Sequence, residues 1–191
     1  LKNFLKDSYT DEEYLNLVRG GVEQMFRVLK EDKAIYVFIN RKKLGIWIDE
    51  LTRAGFKVKN CIVWDKVIHG LNYMNYAYTH EFIIFATKGN FLPKHKEKNS
   101  PFWKDIWSIP RKQDGNQDNS HHETVKNENV VSVPIIHASD EGDVILDPFM
   151  GSGTTAVVAK QLKRNYIGCE ISPEYCKIAE DRIKSISNPL F

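Results

Sequence analysis

The chain has 191 residues, 42% of them hydrophobic and 27% charged, which are the proportions of an ordinary globular domain able to bury its own core. No run approaches the roughly 20 apolar residues of a membrane-spanning helix. Three cysteines, Cys61, Cys169 and Cys176, odd in number and without metal-ligand spacing, exclude a disulfide framework and point to a reducing, cytoplasmic setting. A net charge of +2 does not by itself announce a nucleic-acid binder, so any such reading depends on where the charge sits.

Thr10 and Glu13 have the spacing of a capping box, which predicts a helix start. Tyr14, Val18, Val22, Met25 and Leu29 then recur every three or four residues and mark one buried face. Residues 34–39 (AIYVFI) are apolar throughout and predict a central strand of a parallel sheet, covered on both faces. Residues 44–54 predict a second helix ended by Gly55, and residues 56–64 alternate as a strand. The stretch 67–79 has no period and carries Tyr73, Tyr76 and Tyr78, which either pack a loop onto the domain or stack on bases. Residues 81–87 (EFIIFAT) predict another strand.

From residue 88 to residue 120 the apolar period disappears, and Pro93, Pro101 and Pro110 interrupt the chain, as in an insertion. Between Lys88 and Lys112 there are seven basic and two acidic residues, a local excess of five positive charges. Lys94, Lys96, Lys98, Lys104, Arg111 and Lys112, interleaved with aromatic residues, form a candidate phosphate-contacting surface, the alternative being a solvated charge run. Residues 125–139 predict a helix with Pro134 as a kink.

Residues 143–170 read DVILDPFMGSGTTAVVAKQLKRNYIGCE. This is an apolar strand ending at Asp147-Pro148-Phe149, a glycine turn through Gly151, Ser152 and Gly153, a helix from Thr154, and a second strand ending on Glu170. Such a βαβ unit binds nucleotides, because glycines admit a ligand to the backbone and a carboxylate at the next strand end takes the ribose hydroxyls. The turn lacks the G-x-G-x-x-G of dinucleotide sites and the Gly-Lys-Ser/Thr of a phosphate loop, which favours a ligand without phosphates. A nucleoside joined to an amino acid, as in S-adenosylmethionine, fits, with its carboxylate near the start of the Thr154 helix. A plain strand-ending turn beside a surface acid is the alternative. Ser172-Pro173 then caps a last helix running to Ile186, followed by a frayed tail.

The segments 146–155 (LDPFMGSGTT) and 164–170 (RNYIGCE) closely resemble the cofactor site of the DNA amino-methyltransferases, which methylate N6 of adenine or N4 of cytosine. His122, Thr124 and Lys126 are similar to that family's H-x-T-x-K-P element, with Asn127 where the family has proline. Residues 80–86 resemble its strand before the recognition insert. The motif order is that of the permuted β class. The resemblance implies an α/β, Rossmann-like methyltransferase sheet with helices on both faces, circularly permuted and carrying a basic recognition insert. It divides the chain into a catalytic half (1–87), the insert (88–120) and a cofactor half (121–191). It implies S-adenosylmethionine as cofactor, held by Asp147, Pro148, Phe149, Gly151, Ser152, Gly153, Thr154, Glu170, Thr124 and Lys126. Double-stranded DNA is the implied partner, met by the six basic residues above with Tyr73 and Tyr76, and a homodimer and a cognate restriction endonuclease are compatible with it. N6 of adenine is the leading target, with N4 of cytosine or a degenerate, non-catalytic binding module as alternatives.

The family's catalytic tetrapeptide, Asp, Asn or Ser followed by Pro-Pro and an aromatic residue, occurs nowhere in residues 1–191. It is expected ahead of Leu1, so the N-terminal portion of the domain is expected to be missing. That tetrapeptide would accept the hydrogens of the exocyclic amine and hold the flipped base during in-line transfer. The 191 residues alone are therefore expected to bind the cofactor weakly and without turnover, and no residue among them is assigned a catalytic role.

Overall fold

The capping box at Thr10 forms as its spacing predicts. In the computed structural model, which describes residues 9–67, 76–94, 104–111 and 126–186, Glu13 N–H donates to Thr10 Oγ1 (3.1 Å) and Thr10 N–H to Glu13 Oε2 (2.9 Å). These bonds satisfy two of the free amides at the start of α1 (Asp11–Val28). Val18 and Val22 on its apolar face pack with Trp47 and Leu51 of α2 (Leu44–Arg53), with Phe56, and with Ile84 and Ala86 of β3 (His80–Lys88). Lys88 Nζ donates to the Phe26 and Leu29 carbonyls (3.0 and 2.9 Å), placing a cation on the free acceptors that end α1. Gly55, at φ +104°, turns the chain out of α2, and a Cβ there would lie 3.1 Å from the Phe26 ring. Only glycine meets both demands without strain.

Glu50 of α2 is 5% exposed and receives Arg19 through two bonds, Nε to Oε2 (3.1 Å) and Nη2 to Oε1 (2.9 Å), as well as Arg53 Nε. A forked guanidinium matches a carboxylate in this way. The hydrogen bonds from Arg19 and Arg53 hold the Glu50 carboxyl down to about 2.

β1 (Lys33–Ile39) pairs antiparallel with β3, Ile35 opposite Ala86 and Val37 opposite Ile84, where the apolar run predicts a parallel sheet. Among the described residues the sheet order is β1-β3-β2-β4, β2 being Lys57–Asp65 and β4 Ile106–Ser108. Its two apolar faces explain the discrepancy. Ile35, Val37 and Ile39 face the α1–α2 core, while Tyr36 stacks on Phe85 with ring centroids 5.0 Å apart. An apolar run reports covered faces; it carries no information on the direction of the neighbouring strand. β2 (Lys57–Asp65) receives β4 (Ile106–Ser108) at its far end, where Ile109 N–H donates to the Asp65 carbonyl (3.0 Å).

The described residues fall into two compact units, one within Leu1–Val63 and Glu81–Leu92, the other within Trp64–His80 and Pro93–Phe191. The second contains the expected βαβ unit. β5 (Val144–Asp147) and β6 (Asn165–Gly168) are parallel, with Asp147 opposite Gly168, and α4 (Thr154–Gln161) crosses between them. α3 (Glu128–Ala138) and α5 (Pro173–Ser185) complete the unit. Val130, Val131 and Ile135 of α3, Ala156 to Ala159 of α4 and Ala179 of α5 are buried. Arg164 donates to the carbonyls of Ser139 (2.8 Å) and Leu162 (2.6 Å), tying the end of α3 to the loop before β6. Among the described residues no helix is long and apolar enough to cross a membrane.

Asn127 occupies the position where the resembled family has proline, and the structure shows what it does there. It is the N-cap of α3 at φ −65°, the angle that proline would fix. Its Oδ1 accepts the Asn129 N–H (2.8 Å) and its Nδ2 donates to the Pro110 carbonyl. The backbone conformation is thus one that proline also adopts, and a cap is gained.

Candidate cofactor site

Asp147 ends β5 with its Oδ1 accepting the Phe149 N–H (3.0 Å), a turn in which the side chain takes the place of a backbone carbonyl. Its carbonyl accepts Cys169 N–H (3.0 Å), and Met150 N–H donates to the Cys169 carbonyl (2.9 Å). The two strand ends are therefore laced together just before the turn. Gly151 and Gly153 stand at φ +52° and +83°, conformations that other residues rarely adopt. At Gly153 a Cβ would also lie 2.7 Å from the Ala179 Cβ, so α5 packs directly on the turn.

Gly153 is the N-cap of α4 and supplies no side-chain cap. The amides of the first turn of α4 have no intrahelical acceptor, and they carry the positive end of the helix dipole. Phe149 and Ile171 flank the turn and the strand end at 62% and 65% exposure.

Glu170 holds this assembly. Its Oε2 accepts Gly151 N–H (2.8 Å), and its Oε1 accepts Ile171 and Ser172 N–H (2.9 Å each). An ionised carboxylate has about four acceptor sites. Three are taken, which leaves room on Oε2 for one further donor such as a ribose hydroxyl.

The sequence places Ser152 and Thr154 among the ligand-binding residues, and the structure turns their side chains elsewhere. Both are buried, and both hydroxyls accept from Arg182 Nη1 (3.1 Å each). What they can offer a ligand is backbone. Arg182 itself escapes sequence reading, because its partners lie 28 to 54 positions away and its place in α5 reads as an ordinary basic last turn.

The remaining predicted residues are dispersed. Pro148 is half-buried beside Asp147. Lys126 stands over the Trp64 ring, Nζ 5.8 Å from the centroid. Lys94 is committed to Asp140 (2.6 Å), which raises its pKa through the hydrogen bond and the charge. Lys104 and Arg111 are exposed on either side of β4, whose Trp107 is buried. Tyr76 is 96% exposed. Thr124, Lys96, Lys98, Lys112 and Tyr73 lie outside the described residues. Among the described residues no cluster of His, Cys, Asp and Glu could hold a metal ion.

Residues 2–181 match a family model described as DNA methylase, for N6 and N4 methyltransferases. The type II methyltransferase M2.DpnII of Streptococcus pneumoniae is 37% identical over 145 residues, covering 71% of this chain and 54% of its own length. The DNA adenine methyltransferase YhdJ of Escherichia coli K12 is 26% identical over 216 residues, covering 98% of this chain and 73% of its own. The chain thus spans about half the length of the Streptococcus relative. The crystal structure of the M1.HpyAVI–SAM complex aligns at a TM-score of 0.78 with 27% identity, over 91% of this chain and 85% of that one.

Proposed function

The chain belongs to the N6/N4 DNA methylase family, and from that membership we propose that it forms the methyl-donor half of an S-adenosylmethionine-dependent DNA methyltransferase acting on N6 of adenine in duplex DNA. The observation that carries the reading is the Glu170 carboxylate, bonded to the Gly151 amide and retaining one free acceptor site. The residues fit the cofactor. Glu170 Oε2 would take a ribose hydroxyl, Phe149 and Ile171 would offer apolar surface to the adenine, and the first-turn amides of α4 would receive the carboxylate of the methionine end. Arg182, the cation at this turn, is spent on Ser152, Thr154 and Glu128, as suits a ligand without phosphates.

Bound there, the cofactor supplies a sulfonium methyl group for in-line transfer. Because residues 1–191 hold no Pro-Pro-aromatic tetrapeptide, donor binding is assigned to these residues, and activation of the acceptor amine is a property of the whole protein. The target base is flipped out of the duplex, since its amino group is otherwise paired. Lys104, Arg111 and Tyr76, with Lys96, Lys98, Lys112 and Tyr73, are proposed to contact the DNA. Adenine is favoured over cytosine because the relative that covers 98% of this chain is named an adenine enzyme.

Nucleoside analysis of DNA incubated with the whole protein and S-adenosylmethionine tests the proposal. N6-methyladenine supports it, and N4-methylcytosine moves the target to the alternative base. Cofactor binding without any methylated nucleoside indicates a non-catalytic module.

A further inference from the structure

Arg182 lies in the last turn of α5 and reaches three atoms of the glycine turn. Its Nη1 donates to the Ser152 carbonyl (2.7 Å), Ser152 Oγ (3.1 Å) and Thr154 Oγ1 (3.1 Å), and its Nη2 lies 3.4 Å from Glu128 Oε1. Glu128 is itself held by Gln161 of α4 (3.2 Å), so the guanidinium joins α3, α4 and α5 at one point. Gly153, between the two gripped residues, packs against Ala179 of the same helix. The turn is therefore clamped from behind at two places one helical turn apart, by a methyl group and by a cation.

Ser152, Gly153 and Thr154 are buried and Gly151 is half-buried. Both hydroxyls are drawn away toward α5, and the Gly151 amide is aimed at Glu170. Rotation of the Ser152 peptide would break the bond from Arg182 to its carbonyl, and would reorient the adjoining amides. We propose that Arg182 is a positioning residue for the cofactor: it fixes the peptide planes of the Gly151–Thr154 turn, and so sets cofactor affinity without touching the ligand. The inference rests on the cofactor reading above.

Calorimetric titration of S-adenosylmethionine into the full chain and its variants, beside gel shifts with DNA, provides the test. R182M should weaken cofactor binding about tenfold, the scale of a lost charge-assisted bond. R182K should restore part of that loss, because an ammonium reaches one or two of the acceptors without the planar fork. DNA affinity should be unchanged in both, whereas general loosening of the fold would lower both affinities. Wild-type cofactor affinity in a folded R182M overturns the inference. Should R182M fail to fold, R182K and S152A carry the test, and equal affinities in wild type and both variants overturn it. A wild-type chain that takes up no cofactor overturns the cofactor reading, and this assignment with it.

Discussion

Gly151 donates its amide hydrogen to Glu170 Oε2 at 2.8 Å, so the turn after β5 and the acid two residues beyond β6 form one hydrogen-bonded object. Glu170 thereby has two tasks. In the proposed reading it receives the cofactor's ribose; in the structure it already orders the turn, through the Gly151 amide. Pre-ordering of this kind lowers the entropy lost on binding.

Replacing Glu170 by alanine removes both contributions. Hydrogen bonds to a charged group are worth about 1.5–3 kcal/mol, so the cofactor dissociation constant should rise roughly 10- to 100-fold. Three backbone amides also lose their acceptor, and a thermal melt should show a lower midpoint. Undiminished affinity in a folded E170A would remove the ribose assignment.

The glycines of the site should not be equally sensitive. Gly153→Ala combines a positive φ with a backbone-flanked clash against Ala179, which should cost roughly 1–3 kcal/mol. At Gly168 the atoms in the way are the far end of the Met150 side chain, which can swing aside. Denaturant melts should rank G153A well below G168A, and the reverse order would contradict the packing of α5 on the turn.

The features legible in the sequence are those whose signals are local. The Thr10 capping box, the glycine turn and the acid at residue 170 each declare themselves within a few positions. Long-range partners do not. Arg182 looks like any basic residue in a last turn, and nothing near Lys94 shows that Asp140 claims its ammonium. Ser152 and Thr154 read as ligand-binding residues, and nothing local shows that Arg182 of α5 donates to their hydroxyls. β1 shows the same limit, since its apolar residues report two covered faces and leave the direction of the neighbouring strand open.

Acid stability should depend on Glu50. Its carboxyl is depressed from 4.5 to about 2 by hydrogen bonds from Arg19 and Arg53. Its stabilising contribution is therefore complete above pH 4.5 and is lost as the pH falls toward 2. Glu50→Gln should lower stability at pH 7, and the gap from wild type should narrow between pH 4.5 and 2. A gap that stays constant through that window would show that the arginine cluster contributes nothing to the pH dependence.

Charge in the insert should act through position rather than number. Lys104→Ala and Arg111→Ala should each weaken DNA binding and reduce the salt slope by about one phosphate contact. Lys94→Ala should change the DNA affinity less, because its ammonium is held by Asp140. Gel shifts at two salt concentrations distinguish these outcomes, and an equal effect at all three positions would argue for a diffuse charge run.

The central claim is that residues 143–170 form a site for a nucleoside joined to an amino acid. Isothermal titration of S-adenosylmethionine into the 191-residue chain, with NAD titrated in parallel, tests it most directly. One saturable site for S-adenosylmethionine and no heat with NAD is the predicted result. Absence of S-adenosylmethionine binding by the folded chain, or equal binding of the phosphate-bearing NAD, would contradict it.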